Sequence, residues 1–172
     1  MEWCFINPCR VLVVSVVLLS CNMFLISSPP AAAATSEAQV EAEAEALRNF
    51  TSWCLLHLNL SHSSIYGHIP DDIGMLTKLT YLRISDCGLD GELPVSLGNL
   101  TLLEELDLSY NYDLSGAIPS SLGYLKNLIH LDLSHNFLSG VISSSFGNLT
   151  NLKYLNLSVN EINGSIPYQI GI

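Results

Sequence analysis

Three side chains near residue 130 combine the residue types of a hydrolase triad. His130, Asp132 and Ser134 alternate along the chain, so they would share one face of a β-strand. Side chains two residues apart on a strand project in parallel, about 7 Å apart, which is too far for the hydrogen bonds of a triad. A serine also recurs at the equivalent place in five successive segments, as Ser61, Ser85, Ser109, Ser134 and Ser158. A unique nucleophile would not recur in this way, so we expect no triad here.

Geometry also argues against two other residue pairs, one that could act as glycosidase carboxylates and one that could bind a metal ion. Asp107 and Asp132 would lie about 5 Å apart on neighbouring strands, as glycosidase carboxylates do, but an open surface offers no deep pocket. His57 and His130 would lie about 14 Å apart, which is too far to share a metal ion. The histidines are better interpreted as pH-sensitive surface groups. We therefore expect no enzyme activity, no cofactor, no metal site and no small-molecule substrate.

The composition of the 172-residue chain narrows the classes of partner. It contains 6 Lys and Arg against 16 Asp and Glu, a formal net charge of −10. Binding to nucleic acid requires clustered basic residues that neutralise phosphates, and no such cluster is present in the sequence. We therefore expect no nucleic-acid partner.

Residues 1–34 have the pattern of a secretory signal peptide. Arg10 precedes an apolar run from Val11 to Ile26, and prolines and small alanines follow before Thr35. An uncleaved signal anchor is the alternative, but a 16-residue helix reaches about 24 Å against a hydrocarbon core of about 30 Å. We expect cleavage near Thr35 and a secreted, extracellular chain. Six N-x-[ST] sequons then become candidate glycosylation sites: Asn49, Asn59, Asn99, Asn148, Asn156 and Asn163.

From residue 55 onward the sequence repeats with a period of about 24 residues. Leu58, Leu82, Leu106, Leu131 and Leu155 are spaced by 24, 24, 25 and 24 residues. The single extra residue falls between Ser109 and Gly116, where we expect a loop to absorb it. A fixed period of this length indicates stacked supersecondary units. The alternating segment x-L-x-L-S predicts one short strand per unit, and strands one repeat apart would pair in parallel and in register.

Two positions after each serine lies a column that we expect to point inward. An asparagine there can bond to the backbone of neighbouring turns and satisfy polar groups that the bend would leave unpaired. Cysteine fits the same place. The column, which we call the structural ladder, comprises Ser63, Cys87, Asn111, Asn136 and Asn160.

The repeating unit L-x-x-L-x-L-S-x-N-x-L-x-G-x-I-P-x-x-L-G-x-L resembles the plant-specific leucine-rich repeat. The resemblance is to ectodomains of plant leucine-rich-repeat receptor-like kinases and receptor-like proteins. The segment Glu43–Leu47 resembles the start of their N-terminal cap, particularly in the male-discoverer-interacting receptor kinase subgroup. It implies an α/β leucine-rich-repeat solenoid with a curved parallel β-sheet on the concave face, a 3-10 or irregular convex side and a short N-terminal helix. It also implies three regions: a signal peptide (1–34), an N-terminal helical cap (35–54) and five repeats (55–172).

The chain departs from this pattern in three places. The cap of the family carries a W-x-G-x-x-C element, whereas this chain has only Trp53-Cys54, which predicts a shortened cap. Ser143 replaces the proline of the fourth repeat, and the fifth repeat is incomplete at Ile172. We interpret the chain as a truncated receptor ectodomain that lacks the Ser/Thr kinase domain of full-length relatives. A membrane connection would then require a missing C-terminal segment or the uncleaved signal anchor.

In a parallel solenoid the outward strand residues line one concave face, where we expect an extracellular peptide or protein ligand and a co-receptor to bind. An acidic patch with tyrosines beside it and Arg83 at one edge suits an extended peptide that carries a basic or hydroxyl-bearing residue. The candidate ligand-binding residues are Tyr81, Arg83, Asp86, Glu105, Asp107, Tyr110, His130, Asp132, His135, Tyr154 and Asn156.

Two alternatives to a receptor-type recognition module remain open from the sequence. One is a secreted inhibitor of a cell-wall-degrading enzyme, similar to polygalacturonase inhibitors with the same repeat type. The other is a small co-receptor-like protein, because somatic embryogenesis receptor kinases have a similar number of repeats. Under the receptor hypothesis, the resemblance implies that full-length relatives reside in the plasma membrane.

Overall fold

Ten short strands and four 3-10 turns make up residues 55–170, the part of the chain that the computed structural model describes. The predicted signal peptide, N-terminal helix and cap, and sequon Asn49, lie outside these residues. In chain order the elements are β1 (His57–Asn59), β2 (Tyr66–His68), η1 (Asp71–Met75), β3 (Tyr81–Arg83), β4 (Gly88–Glu92), η2 (Val95–Asn99), β5 (Glu105–Asp107), β6 (Asn111–Ala117), η3 (Ser120–Tyr124), β7 (His130–Asp132), β8 (Asn136–Val141), η4 (Ser144–Asn148), β9 (Tyr154–Asn156) and β10 (Glu161–Asn163).

The first sheet contains one strand from each repeat, in the order β1-β3-β5-β7-β9. All of its strands are parallel, and Leu82, Leu106 and Leu131 pair directly in register. The predicted leucine-rich-repeat fold and the parallel register are therefore confirmed. Each of these three leucines is fully buried, because every coil adds its apolar side chains to the same continuous core.

A second five-stranded parallel sheet forms in the order β10-β8-β6-β4-β2. The resemblance predicts 3-10 or irregular structure on the convex side of the solenoid. The structure has the 3-10 turns and, in addition, this second sheet. The extra residue of the third repeat is absorbed inside β6, the longest strand, where the pairing with β8 shifts between Asn111 and Ser115. The expectation of a loop at this point was therefore wrong, because the chain keeps its backbone paired by forming a bulge.

Each 3-10 turn follows an extended residue that starts the turn. Proline occupies this place before η1, η2 and η3, and Ser143 has nearly the same backbone angles before η4. The Ser143 side chain accepts a hydrogen bond from the Ser145 amide at 3.2 Å, so the serine caps its turn. A Cβ on Gly98 within η2 would lie 2.5 Å from the Ser121 carbonyl oxygen, so glycine lets adjacent coils approach.

The structural ladder lies where the chain enters the strands of the second sheet, and Asn111 and Asn136 are the first residues of β6 and β8. Fully buried Asn111 donates from Nδ2 to the carbonyls of Ile84, Leu108 and Ser109, and its Oδ1 accepts from the Leu89 amide. The contacts of Asn136 and Asn160 repeat this pattern one and two coils later, whereas Ser63 and Cys87 make fewer and weaker contacts to carbonyls. Each asparagine therefore joins its own coil to the preceding one.

We expect the cost of losing a core leucine to depend on the coil that holds it. Leu131→Ala in the fourth coil should lower the free energy of unfolding by about 3 kcal/mol, because it leaves a cavity among fully buried neighbours. Leu155 pairs with Leu131 but is only half-buried, so Leu155→Ala should cost no more than about half as much. Urea unfolding followed by circular dichroism measures both values, and equal losses would contradict a core that thins out at the fifth coil.

Removing a ladder asparagine should cost more than removing a surface asparagine. Asn111→Ala removes the four hydrogen bonds that the buried side chain makes, so we expect a loss of about 3 kcal/mol in unfolding free energy. Asn127→Ala is the matched control, because Asn127 makes one exposed bond to the Thr101 carbonyl at 2.9 Å and should cost under about 1 kcal/mol. The same urea titration compares them, and a similar loss in both variants would refute the joining role of the ladder.

Candidate functional site

The open face of the first sheet holds all eleven candidate ligand-binding residues. In each of its strands the middle residue points into the core, and the first and third residues point outward. The parallel register aligns the outward residues into two rows, one from first positions and one from third positions. The first row is His57, Tyr81, Glu105, His130 and Tyr154, and the second row is Asn59, Arg83, Asp107, Asp132 and Asn156.

A third row runs along the edge of this face, three residues beyond each strand. These residues have a left-handed backbone with φ between 52° and 58°, which is unusual for residues other than glycine. The amides of the first four donate to the serine carbonyl of the next coil, as in Tyr110 to Ser134 at 3.0 Å. The strain recurs in all five coils, so it belongs to the fold and is not particular to a ligand site. The third row is His62, Asp86, Tyr110, His135 and Val159.

Asp132 is the most extensively hydrogen-bonded carboxylate on the open face. Its Oδ1 accepts from the amide and the hydroxyl of Ser134 at 2.9 and 2.6 Å. Its Oδ2 accepts from Asn156 Nδ2 at 3.1 Å and from the Tyr154 hydroxyl at 3.3 Å. Burial acts to raise the pKa of Asp132, but the hydrogen bonds from Ser134, Asn156 and Tyr154 together outweigh it and lower the pKa below its usual value.

The expectation that Asp132 and Ser134 are too far apart for a hydrogen bond was wrong. The strand ends at Asp132 and the chain bends, so the Ser134 hydroxyl turns back to the carboxylate. Ser109 bonds Asp107 in the same way at 2.7 Å, and Ser158 bonds Asn156 at 2.7 Å. The contact is therefore a repeated turn that uses the serine hydroxyl as a donor, and His130 stacks on Tyr154 instead of completing a triad.

The acidic residues of the open face differ in how far they are neutralised. Arg83 forms an ion pair with Glu105 across one strand pair, so it lies within the acidic patch and compensates one of its charges. Asp107 accepts from Ser109 through Oδ1 alone, and within residues 55–170 no hydrogen bond reaches its Oδ2. Among the four carboxylates of the open face, Asp107 is therefore the one that receives no hydrogen bond or ion pair from another coil within residues 55–170.

Aromatic and imidazole rings connect adjacent coils on the same face. His130 and Tyr154 are stacked with ring centres 4.2 Å apart, and Tyr110 and His135 are stacked at 4.1 Å. His57 meets the ring of Tyr81 edge-on at 4.6 Å. These rings are preorganised by contact with one another, so little side-chain freedom remains to be lost when a ligand binds.

Four neighbouring residues were not among the sequence-based candidates. His57 and Asn59 complete the two rows at the first coil, and His62 pairs with Asp86 across one coil at 2.9 Å. Tyr112 lies on β6 and meets Tyr110 edge-on, with ring centres 6.4 Å apart. The repeat columns contain the first three, whereas Tyr112 belongs to the second sheet and had no signal as a neighbour of this face.

The sequons divide between the open face and other surfaces. Asn99 and Asn148 end η2 and η4, and Asn163 ends β10, all with exposed side chains. Asn59 and Asn156 lie in the second row of the open face. Asn156 is half-buried and donates from Nδ2 to Asp132, so a glycan on this nitrogen would occupy part of the candidate ligand surface.

Three further properties concern residues 55–170 only. They include no group of three or more His, Cys, Asp and Glu side chains placed to hold a metal ion. None of the helices in this part of the chain has the length and apolarity needed to cross a bilayer. Cys87 is a free cysteine.

The sequence and fold of this chain are similar to those of known leucine-rich-repeat proteins. A sequence profile described as a leucine-rich repeat region matches residues 34–167. A comparison with curated proteins finds no match. The chain is similar to the solved ectodomain of the Arabidopsis thaliana receptor kinase GASSHO1/SCHENGEN3 in complex with CASPARIAN STRIP INTEGRITY FACTOR 2, at 36% identity over 73% of this chain and a TM-score of 0.69.

Two more solved structures show the same similarity. The Arabidopsis receptor kinase HAESA, in complex with the peptide hormone IDA and the co-receptor SERK1, is 39% identical over 65% of this chain with a TM-score of 0.62. The BIR2 ectodomain from Arabidopsis thaliana is 34% identical over 67% of this chain with a TM-score of 0.63. The chain spans 15% of the GASSHO1/SCHENGEN3 chain, 18% of the HAESA chain and 60% of the BIR2 chain.

The hydrogen bonds to Asp132 predict a pH-dependent contribution to stability. The folded state lowers the pKa of Asp132, so the ionised carboxylate stabilises the fold fully at pH values above the pKa of the unfolded state, about 3.9. This contribution is lost as the pH falls through the lower pKa of the folded state. Asp132→Asn should lower the free energy of unfolding at pH 7 by about 1 kcal/mol, a figure reduced for partial solvent exposure.

Urea unfolding at pH 7 and at about pH 2.5 tests this expectation, and the difference between wild type and Asp132→Asn should shrink at the lower pH. Asp90→Asn, an exposed position on β4, is the matched control and should change stability little at either pH. A difference between wild type and Asp132→Asn that is the same at both pH values would contradict the assignment.

Proposed function

Because the chain belongs to the leucine-rich-repeat family, we propose that it is an extracellular recognition module, part of the ectodomain of a plant receptor-like kinase or receptor-like protein. Its role is to bind an extended peptide or a protein partner on the open face of the first sheet, in signal perception. The face uses two rows of aligned polar and aromatic side chains held on a rigid sheet. Rigid placement of such groups reduces the entropy that a binding surface loses.

The arrangement of Asp107 is the single observation that carries this proposal. Within residues 55–170 its Oδ2 accepts no hydrogen bond, and Arg83 is paired with Glu105. Asp132 already accepts four hydrogen bonds from three residues of its own chain. A basic or hydroxyl-bearing ligand residue would therefore bond to Asp107, with the aromatic rings of the first and third rows as further apolar contacts. Aromatic residues and a desolvated charge commonly supply most of the binding energy at protein interfaces.

The solved relatives support a peptide or co-receptor as the partner. The HAESA structure contains a peptide hormone and the co-receptor SERK1, and another similar ectodomain, RGFR1, is described as a plant peptide hormone receptor in complex with RGF2. We carry this class of partner over to the present chain, together with an extracellular location. Assignment to the male-discoverer-interacting receptor kinase subgroup is a further part of the proposal and is supported only by the resemblance at Glu43–Leu47.

A small co-receptor-like protein is a second candidate, favoured by the length comparison. The chain spans 60% of the BIR2 ectodomain and 60% of the chain matched in the BIR3–SERK2 complex, compared with 15% to 20% of the large peptide receptors. In that case the partner would be another leucine-rich-repeat ectodomain.

Substitution of Asp107 tests the proposed binding surface. The secreted chain is applied to an array of synthetic extended peptides that vary in lysine, arginine and hydroxyl-bearing residues, and affinities of the captured peptides are measured by isothermal titration calorimetry. Asp107→Ala should weaken binding of a captured peptide at least tenfold, which corresponds to about 1.4 kcal/mol or more.

Asp90→Ala on the second sheet is the matched control, because it removes the same charge from an exposed position away from the open face. We expect it to leave the peptide affinity within about twofold of wild type, since exposed charges at a distance are screened. Equal loss in both variants would indicate a non-specific charge effect and would contradict the proposal. Capture of a leucine-rich-repeat ectodomain without capture of any peptide would favour the co-receptor candidate.

A further inference from the structure

Four of the five histidines of the chain lie on the open face, and each contacts a residue of a neighbouring coil. His62 Nδ1 lies 2.9 Å from Asp86 Oδ2, and the other three contact tyrosine rings. His57 meets Tyr81, His130 stacks on Tyr154, and His135 stacks on Tyr110. The fifth histidine, His68, lies on β2 in the second sheet.

The other charged groups of the open face leave it negative. The face carries four carboxylates, Asp86, Glu105, Asp107 and Asp132, against the single guanidinium of Arg83, a formal charge of −3. Glu104 and Lys153, immediately before β5 and β9, cancel each other. Of the side-chain types on this face, histidine is the one that ordinarily changes its charge between about pH 5 and 8. The formal charge of the face in this range is therefore decided by the histidines.

An imidazole ordinarily changes its charge between about pH 5 and 8. Protonation of all four histidines of the open face would change its formal charge from −3 to +1, which reverses the sign. The contacts that hold these rings do not oppose the change, because an imidazolium is attracted to the face of a tyrosine ring and to the Asp86 carboxylate. The surface can thus reverse its charge without rearranging its side chains.

We propose that the open face is a proton-gated docking surface, which binds a cationic peptide at neutral pH and releases it as the pH falls toward about 5.5. This inference rests on the proposed recognition function and adds the charge class of the ligand and its regulation. The negative face attracts a lysine- or arginine-containing peptide to Asp107 at neutral pH. At acidic pH the four imidazolium groups flank the same carboxylate and repel that peptide.

The test uses a fluorescein-labelled extended peptide of alternating lysine and serine as the probe. Its dissociation constant for the full secreted chain is measured by fluorescence anisotropy at pH 7.5 and 5.5 and at constant ionic strength. We expect binding to be at least tenfold weaker at pH 5.5. In the variant H57Q/H62Q/H130Q/H135Q the ratio of the two dissociation constants should fall to about two or less, whatever its affinity at pH 7.5.

His68→Gln is the matched control, because His68 lies on the second sheet, and it should keep the wild-type ratio. Far-UV circular dichroism of each variant at both pH values establishes that the comparison is made on folded protein. A wild-type ratio near one, or an unchanged ratio in the quadruple variant, would overturn the proton gate. A probe that fails to bind at pH 7.5 would overturn the cationic ligand class, whereas the recognition function itself is tested separately by the peptide array and Asp107→Ala.

Discussion

Parallel pairing of each coil with the next in the first sheet, in a register of 24 or 25 residues, is the constraint on which the rest of the structure depends. It stacks the leucines into one core, and it also stacks carbonyls and amides that would be unpaired at the bends. The ladder asparagines satisfy these groups from within, as Asn111 does for carbonyls of two coils. In the first sheet apolar burial and backbone hydrogen bonding therefore require the same spacing, because a shift by one residue would turn the leucines to the open face.

The same register determines which side chains can act together on the open face. Residues separated by a whole coil in sequence, such as Asp107 and Asp132, become direct neighbours. Neighbouring carboxylates on a solvated sheet repel each other, and here the chain supplies compensation locally. Ser134, Asn156 and Tyr154 hold Asp132, and Arg83 holds Glu105. Among the carboxylates of this face in residues 55–170, Asp107 has no partner from another coil, which is why it is the centre of the proposed recognition surface.

Histidines add a second level to this electrostatic arrangement. Their contacts with tyrosines and with Asp86 run between coils, so they are as closely tied to the register as the leucines are. Protonation of imidazoles can change the charge of such a surface without moving its side chains. Recognition and its regulation would then depend on the same aligned side chains.

Leucine spacing by itself determined the coil, the parallel register, the inward ladder column and the rows of the open face, because a period of 24 residues allows one stacking solution for the apolar side chains. The tertiary structure alone decided the second sheet and the bulge in β6, since these depend on backbone pairing that the sequence pattern does not encode. It also decided the bond from Ser134 to Asp132 and the pairing of Arg83 with Glu105. These contacts arise where strands end and side chains choose among several neighbours, and only the positions of the atoms in space settle that choice.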